Sequence, residues 1–106
     1  FRPQLILVSA GFDAHWIDPL AGMMLSLTGY ANLTKSLNDM SRDLCNGKIV
    51  FVMEGGYDLV ALSHGIANGA RVLLGDEEFP DLLGAAGRRE PDIEELVNAL
   101  KILHKL

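Results

Sequence analysis

Leu5-Ile6-Leu7-Val8-Ser9-Ala10-Gly11-Phe12-Asp13-Ala14 is the stretch that decides the fold. It opens on four apolar residues, breaks at Gly11 and places a carboxylate, Asp13, just past the break. A short apolar run bounded by Pro3 and Gly11 predicts a strand buried on both faces, as parallel strands are. A second run, Ile49-Val50-Phe51-Val52-Met53, ends the same way, in Glu54-Gly55-Gly56-Tyr57. In an open α/β sheet, ligands bind outside the carboxyl ends of the strands. The two runs therefore bring one carboxylate and one phenol to the same edge.

Between them, residues 10–27 hold two glycines and a proline and predict a long loop. Tyr30, Leu33, Leu37, Met40 and Leu44 recur at helical spacing and predict a helix from about Thr28, as N-cap, to Cys45, stopped by Asn46-Gly47. Asp58 is placed to cap a second helix running to about Leu74, with Gly75 as its stop and Leu59, Leu62, Ile66, Ala70 and Leu73 on its apolar face. Residues 76–91 are polar and predict a surface loop. Pro91 suits the first position of a final amphipathic helix through Ile93, Leu96, Val97, Leu100 and Leu103. Strand, helix, strand is the unit of an open parallel sheet. Sheets usually have about 4–6 strands. Two near-solid apolar strands therefore imply neighbours, and residues 1–106 read as the carboxyl-terminal portion of a larger α/β domain.

A net charge of −5 argues against a direct nucleic-acid binder, whose mark is a basic patch. The single cysteine, Cys45, excludes an internal disulfide framework or a cysteine-rich zinc motif and reads as a buried structural thiol. No apolar run approaches the ~20 residues of a membrane span, so no membrane partner is expected. A reducing, intracellular compartment is the expectation, with nucleus, cytoplasm and organelle all open.

Asp13 is a hard oxygen donor of the kind that binds zinc beside imidazoles. An aspartate after a strand is also the common mark of a loop cap or an ion pair. In extended backbone His15 would face the same way as Asp13 and could share a metal with it; His15 and Trp16 read better as surface or pocket-rim residues. Asp18-Pro19 reads as a turn former bracing the loop. Tyr57 follows two glycines, which permit close backbone approach. Its phenol could donate to the oxyanion of an acyl-transfer transition state; a packed tyrosine after a glycine turn fits equally well. His64 and His104 fall on predicted helices without ligand-like neighbours, and Met23-Met24 reads as packing.

Residues 5–14 with Asp18-Pro19-Leu20, and Val50-Phe51-Val52-Met53-Glu54-Gly55-Gly56-Tyr57-Asp58-Leu59, together resemble the histone deacetylase superfamily, which includes acetylpolyamine amidohydrolases and bacterial relatives. The likeness extends over about residues 1–75, and the Glu-Gly-Gly-Tyr form is closest to the class II and bacterial branch. The resemblance implies an arginase/deacetylase-like α/β fold and a zinc-dependent hydrolase acting on acetyl-lysine in histones or other proteins, or on acetylated polyamines. It implies that Asp13 is a zinc ligand, that Tyr57 polarises the acetyl carbonyl, and that Gly55 and Gly56 lie beside the acyl-lysine channel. The paired histidines of that family, and the Asp-x-His segment that supplies its other two zinc ligands, are not in this sequence: Asp13-Ala14-His15 matches that segment in letters only and by position is the later ligand loop. The chain alone is therefore expected to be inactive. The alternatives are a truncated paralogue acting as a protein-binding module through its sheet edge, and a nucleotide-binding domain, for which no phosphate loop is present. Oligomeric state is not legible.

Overall fold

The computed structural model describes residues 1–89 and 91–106. Its elements are β1 (Ile6–Ala10), α1 (Leu27–Cys45), β2 (Ile49–Met53), α2 (Leu59–Leu74) and α3 (Glu94–His104). β1 and β2 pair in parallel, with Ile6 opposite Ile49 and Ala10 opposite Met53. The strand–helix–strand unit is therefore present as predicted. Both strands end at the same height, and the loops that follow them leave the sheet side by side.

The helix boundaries follow local chemistry. The Asn46 stop is in the left-handed region at φ 55°, and Gly75 ends α2 at φ 91°. Asp58 caps α2 as expected, accepting the Ala61 N–H at 2.8 Å. The cap of α1 is Ser26, not Thr28: the Ser26 hydroxyl accepts the Gly29 N–H, and helical backbone already begins at Leu27. Pro91 does not open α3, which begins three residues later after an Ile93 that makes no side-chain capping bond.

Packing departs from the apolar patterns in one instructive way. The buried residues of α1 are Leu27, Ala31, Asn38, Ser41 and Cys45, whereas Leu33, Met40 and Leu44 of the predicted stripe are exposed. The two sets lie about 120° apart around a helix of 3.6 residues per turn. α1 packs on α2, whose buried residues are Ala61, Gly65, Asn68 and Val72. Apart from Leu27 and Val72, the residues these two helices bury are small or polar, and the space beside Gly65 is filled by the Phe12 ring. The strands show the same split. Val8 and Phe51 are half-buried on the helix side, while Leu7 and Val52, expected to be buried, are 66% and 49% exposed on the other. α3 has no buried residue. Among the described residues, no helix is long and apolar enough to cross a membrane.

Candidate active site

The loop after β1 is ordered by hydrogen bonds and aromatic contacts rather than by regular structure. Phe12 donates its backbone N–H to the Gly55 carbonyl at 2.9 Å, so the loop after β1 is tied to the loop after β2. Trp16 N–H reaches the Leu25 carbonyl and Leu25 N–H the Ala14 carbonyl, which closes residues 15–25 into a hairpin-like excursion. Beneath it, Phe12 and Tyr30 lie with ring centroids 5.0 Å apart, and His15 stacks parallel to Tyr30 at 6.5 Å.

Asp13 sits in a slot between glycines. A Cβ on Gly11 would stand 2.8 Å from Asp13 Oδ1. One on Gly55 would stand 3.0 Å from both Cγ and Oδ1 and 3.1 Å from Oδ2. Gly55 thus has no side chain because the Asp13 carboxylate occupies that space. Gly56 has φ 132°, a conformation open to glycine, and a Cβ there would meet Phe12 and Leu62 at 3.0 Å. These contacts bring the Asp13 carboxylate within one residue of the segment that carries Tyr57. Tyr57 is 58% exposed.

Two further carboxylates hold this edge together. Asp18 is buried, and its Oδ2 accepts the N–H groups of both Tyr57, at 2.8 Å, and Asp58, at 3.1 Å. Its Oδ1 accepts the Leu20 N–H, which is the turn that Asp18-Pro19 predicts. Burial pushes this carboxyl up, but the three N–H donors and His15 outweigh that and hold it below the ordinary carboxylate value. Asp81 takes the Thr28 N–H and hydroxyl on Oδ2, at 2.9 and 3.0 Å, and the Leu83 and Gly84 N–H groups on Oδ1. Its burial is likewise outweighed by these donors, and its carboxyl lies below the ordinary range. Trp16 Nε1 donates to the Gly84 carbonyl and Asn68 to the Pro80 carbonyl, so residues 80–84, expected to be a plain surface loop, are stapled to the start of α1 and the middle of α2.

His15 is fully buried, contrary to the expected surface or rim position. Its Nδ1 accepts the Ile17 N–H, and burial lowers its pKa despite the nearby Asp81, Asp58 and Asp18. The tautomer consistent with that bond carries the proton on Nε2. Burial pushes the Tyr30 phenol up to about 12, so it stays neutral. Cys45 is buried as expected and donates to the Lys48 carbonyl. Among the described residues, no three His, Cys, Asp or Glu side chains gather where they could hold one metal ion. A catalytic zinc takes about three protein ligands, so the described donors do not make a zinc centre on their own. An apolar cavity of about 330 Å³ lies between sheet and helices, walled by Phe12, Phe51, Met53, Ile66 and Leu73 among others. Its lining includes neither Asp13 nor Tyr57, and it is a gap in packing rather than the polar site.

The reading of the sequence missed Asp81 and Tyr30. Pro80-Asp81 in a polar segment signals a local turn, but nothing local signals that Asp81 reaches back to Thr28. Tyr30 carried only its helical spacing.

Fold and site together define an open α/β domain with its polar groups collected at the carboxyl ends of two parallel strands. The family profile described as "Histone deacetylase domain" matches residues 1–73. This chain belongs to the histone deacetylase family. It is 44% identical over 79 residues to histone deacetylase 14, chloroplastic, of Arabidopsis thaliana, covering 74% of this chain and 19% of that protein. It is 38% identical to histone deacetylase 10, chloroplastic, of Oryza sativa subsp. japonica, covering 100% of this chain and 25% of the relative. Among solved structures it is similar to the HDA15 HD domain, with a TM-score of 0.65 and 32% identity over 94% of this chain and 24% of that one. The chain thus spans about a fifth to a quarter of the proteins it matches.

Proposed function

We propose that residues 1–106 form the carboxyl-terminal portion of a zinc-dependent deacetylase that hydrolyses acetyl-lysine amides in histones or other proteins. Asp13 is one metal ligand of a centre completed by residues outside this chain. Tyr57 donates a hydrogen bond to the substrate carbonyl oxygen, and Gly55 and Gly56 flank the acyl chain. The observation that carries this reading is the Asp13 carboxylate lodged against Gly55, two residues before an exposed phenol, at the carboxyl end of a parallel sheet. Zinc in such a site supplies Lewis acidity. With one ligand and no general base of its own, this chain alone is inactive. The acidic balance and the family suit a basic, lysine-bearing substrate rather than a nucleic acid, and an acetylated polyamine presents the same amide. The compartment is intracellular; two relatives whose names read chloroplastic support an organelle.

The test is hydrolysis of an acetyl-lysine peptide by the full-length protein, with bound zinc measured alongside. Asp13→Ala is expected to lose both zinc and rate. Tyr57→Phe is expected to keep the zinc and lose about 10²–10³ in kcat, the usual cost of one oxyanion donor. Stoichiometric zinc in Asp13→Ala, or an unchanged kcat in Tyr57→Phe, would overturn the assignment of that residue.

A further inference from the structure

Asp18 does more than close its own turn. It lies five residues after Asp13 on the same loop, yet its Oδ2 spans to the other loop and accepts two consecutive N–H groups, those of Tyr57 and Asp58. Its Oδ1 is held by Leu20, so the carboxylate itself has little freedom to move. Downstream of the grip, Asp58 begins α2. Upstream, Gly55 and Gly56 bring no side chain that could hold the segment. The backbone of Tyr57 is therefore fixed from one side by the Asp18 carboxylate and from the other by a helix start.

We propose that Asp18 is a positioning residue: its buried carboxylate binds the Tyr57 and Asp58 amides and so sets the phenol of Tyr57 relative to Asp13. The inference rests on the role proposed for Tyr57 and adds the group that places it. Bonds to an ionised acceptor are roughly twice as strong as neutral ones, and the depressed carboxyl keeps Asp18 ionised throughout the neutral range. A displacement of about 1 Å in a reacting group can cost on the order of 10²-fold in rate.

The experiment is a double-mutant cycle in the full-length protein. Asp18→Asn keeps the shape and removes the charge. Its kcat is expected to fall about tenfold to a hundredfold, with KM and zinc stoichiometry within about twofold of wild type, because neither substrate binding nor Asp13 depends on the Tyr57 amide. In the Tyr57→Phe background, the same change is expected to cost less than twofold, since the phenol it positions is already gone. An unchanged kcat in Asp18→Asn overturns the inference. So does an equal loss in both backgrounds, which would make Asp18 a general structural residue. Should Asp18→Asn fail to fold, Asp18→Glu carries the same cycle: it keeps the charge and moves the acceptor by one methylene, and an unchanged kcat there overturns the inference equally. The single variant Tyr57→Phe reports separately on the function itself. If it retains full activity, the reading of Tyr57 has failed, whatever Asp18 does.

Discussion

The loops at the carboxyl edge of the sheet and the regular elements behind them are ordered by opposite means. The excursion over residues 11–26 contains no strand or helix, yet His15 is fully buried and Asp18 nearly so, each with named hydrogen-bond partners. The strands are fully regular, yet Leu7 and Val52 lie bare on one face, and α3 has no buried residue at all. Regularity and burial have come apart. Carboxylate-to-amide bonds hold this edge together, whereas apolar faces of the regular elements lie exposed among the described residues. Contacts internal to the edge should therefore be sensitive to single changes, and the bare faces should be tolerant.

The largest effect expected from this contrast is at a pair of glycines. Gly55→Ala places a methyl group 3.0 Å from the Asp13 carboxylate. Either the carboxylate or the loop must give by a few tenths of an ångström, and a shift of that size is expected to lower kcat of the full-length protein by about threefold to tenfold. Gly69→Ala, in α2, meets nothing within 4 Å. It is expected to leave activity unchanged and to stabilise by about 0.4–1 kcal/mol through the unfolded chain. Peptide hydrolysis and thermal melts on both variants check this. Equal kcat in the two would break the contrast.

How much of this was legible in the sequence follows the same division. The strands and the two strand-end motifs could be read because period and composition are local, and Asn46, Asp58 and Gly75 could be read because caps are local chemistry. Asp13, Gly55, Gly56 and Tyr57 were legible as strand-end motifs, and their placement at one edge of the sheet followed from the parallel pairing. What escaped was long-range and polar. The Asp18 bond to Tyr57 spans 39 residues and the Asp81 bond to Thr28 spans 53, and neither leaves a periodic trace. The α1 stripe misled for a different reason. Leu33, Met40 and Leu44 mark the most apolar face, but the face that α1 buries carries Leu27, Ala31, Asn38, Ser41 and Cys45, a set with little hydrophobic periodicity to announce it.

A smaller effect is expected at the staple between residues 80–84 and α1. Asp81 takes an orphan N–H of the first turn of α1, the Thr28 amide, and removing such a cap costs about 1 kcal/mol. Asp81→Ala is expected to lower stability by that amount at neutral pH. Because the folded carboxyl lies below its ordinary 3.8, its contribution is complete above that value and is lost as the pH falls through the folded pKa. The difference between wild type and variant should therefore close in strong acid. His15 adds an earlier step. Its pKa is lowered from 6.5 by burial, so the unfolded chain takes up the proton first, and stability begins to fall once the pH drops below 6.5. Denaturant melts across about pH 2–8 check both steps. A gap between wild type and Asp81→Ala that stays constant to the acid end would show that the carboxylate charge is not what holds Thr28.

The smallest effect tests the other side of the contrast. Leu103 is 72% exposed on α3, and the helix buries nothing. An exposed leucine contributes little transfer free energy, so its replacement removes almost none. Leu103→Lys also keeps a good helix former and adds a cation in the last turn, where the helix dipole favours one. The expected change in unfolding free energy is within about 0.5 kcal/mol, the range of ordinary surface substitutions. The same change at Leu27, which is fully buried at the start of α1, would bury a charge. A loss above about 1 kcal/mol at Leu103 in the full-length protein would mean that another part of that protein covers α3. The bare face would then be an internal contact of the larger domain, and the tolerance expected here would belong to this chain alone.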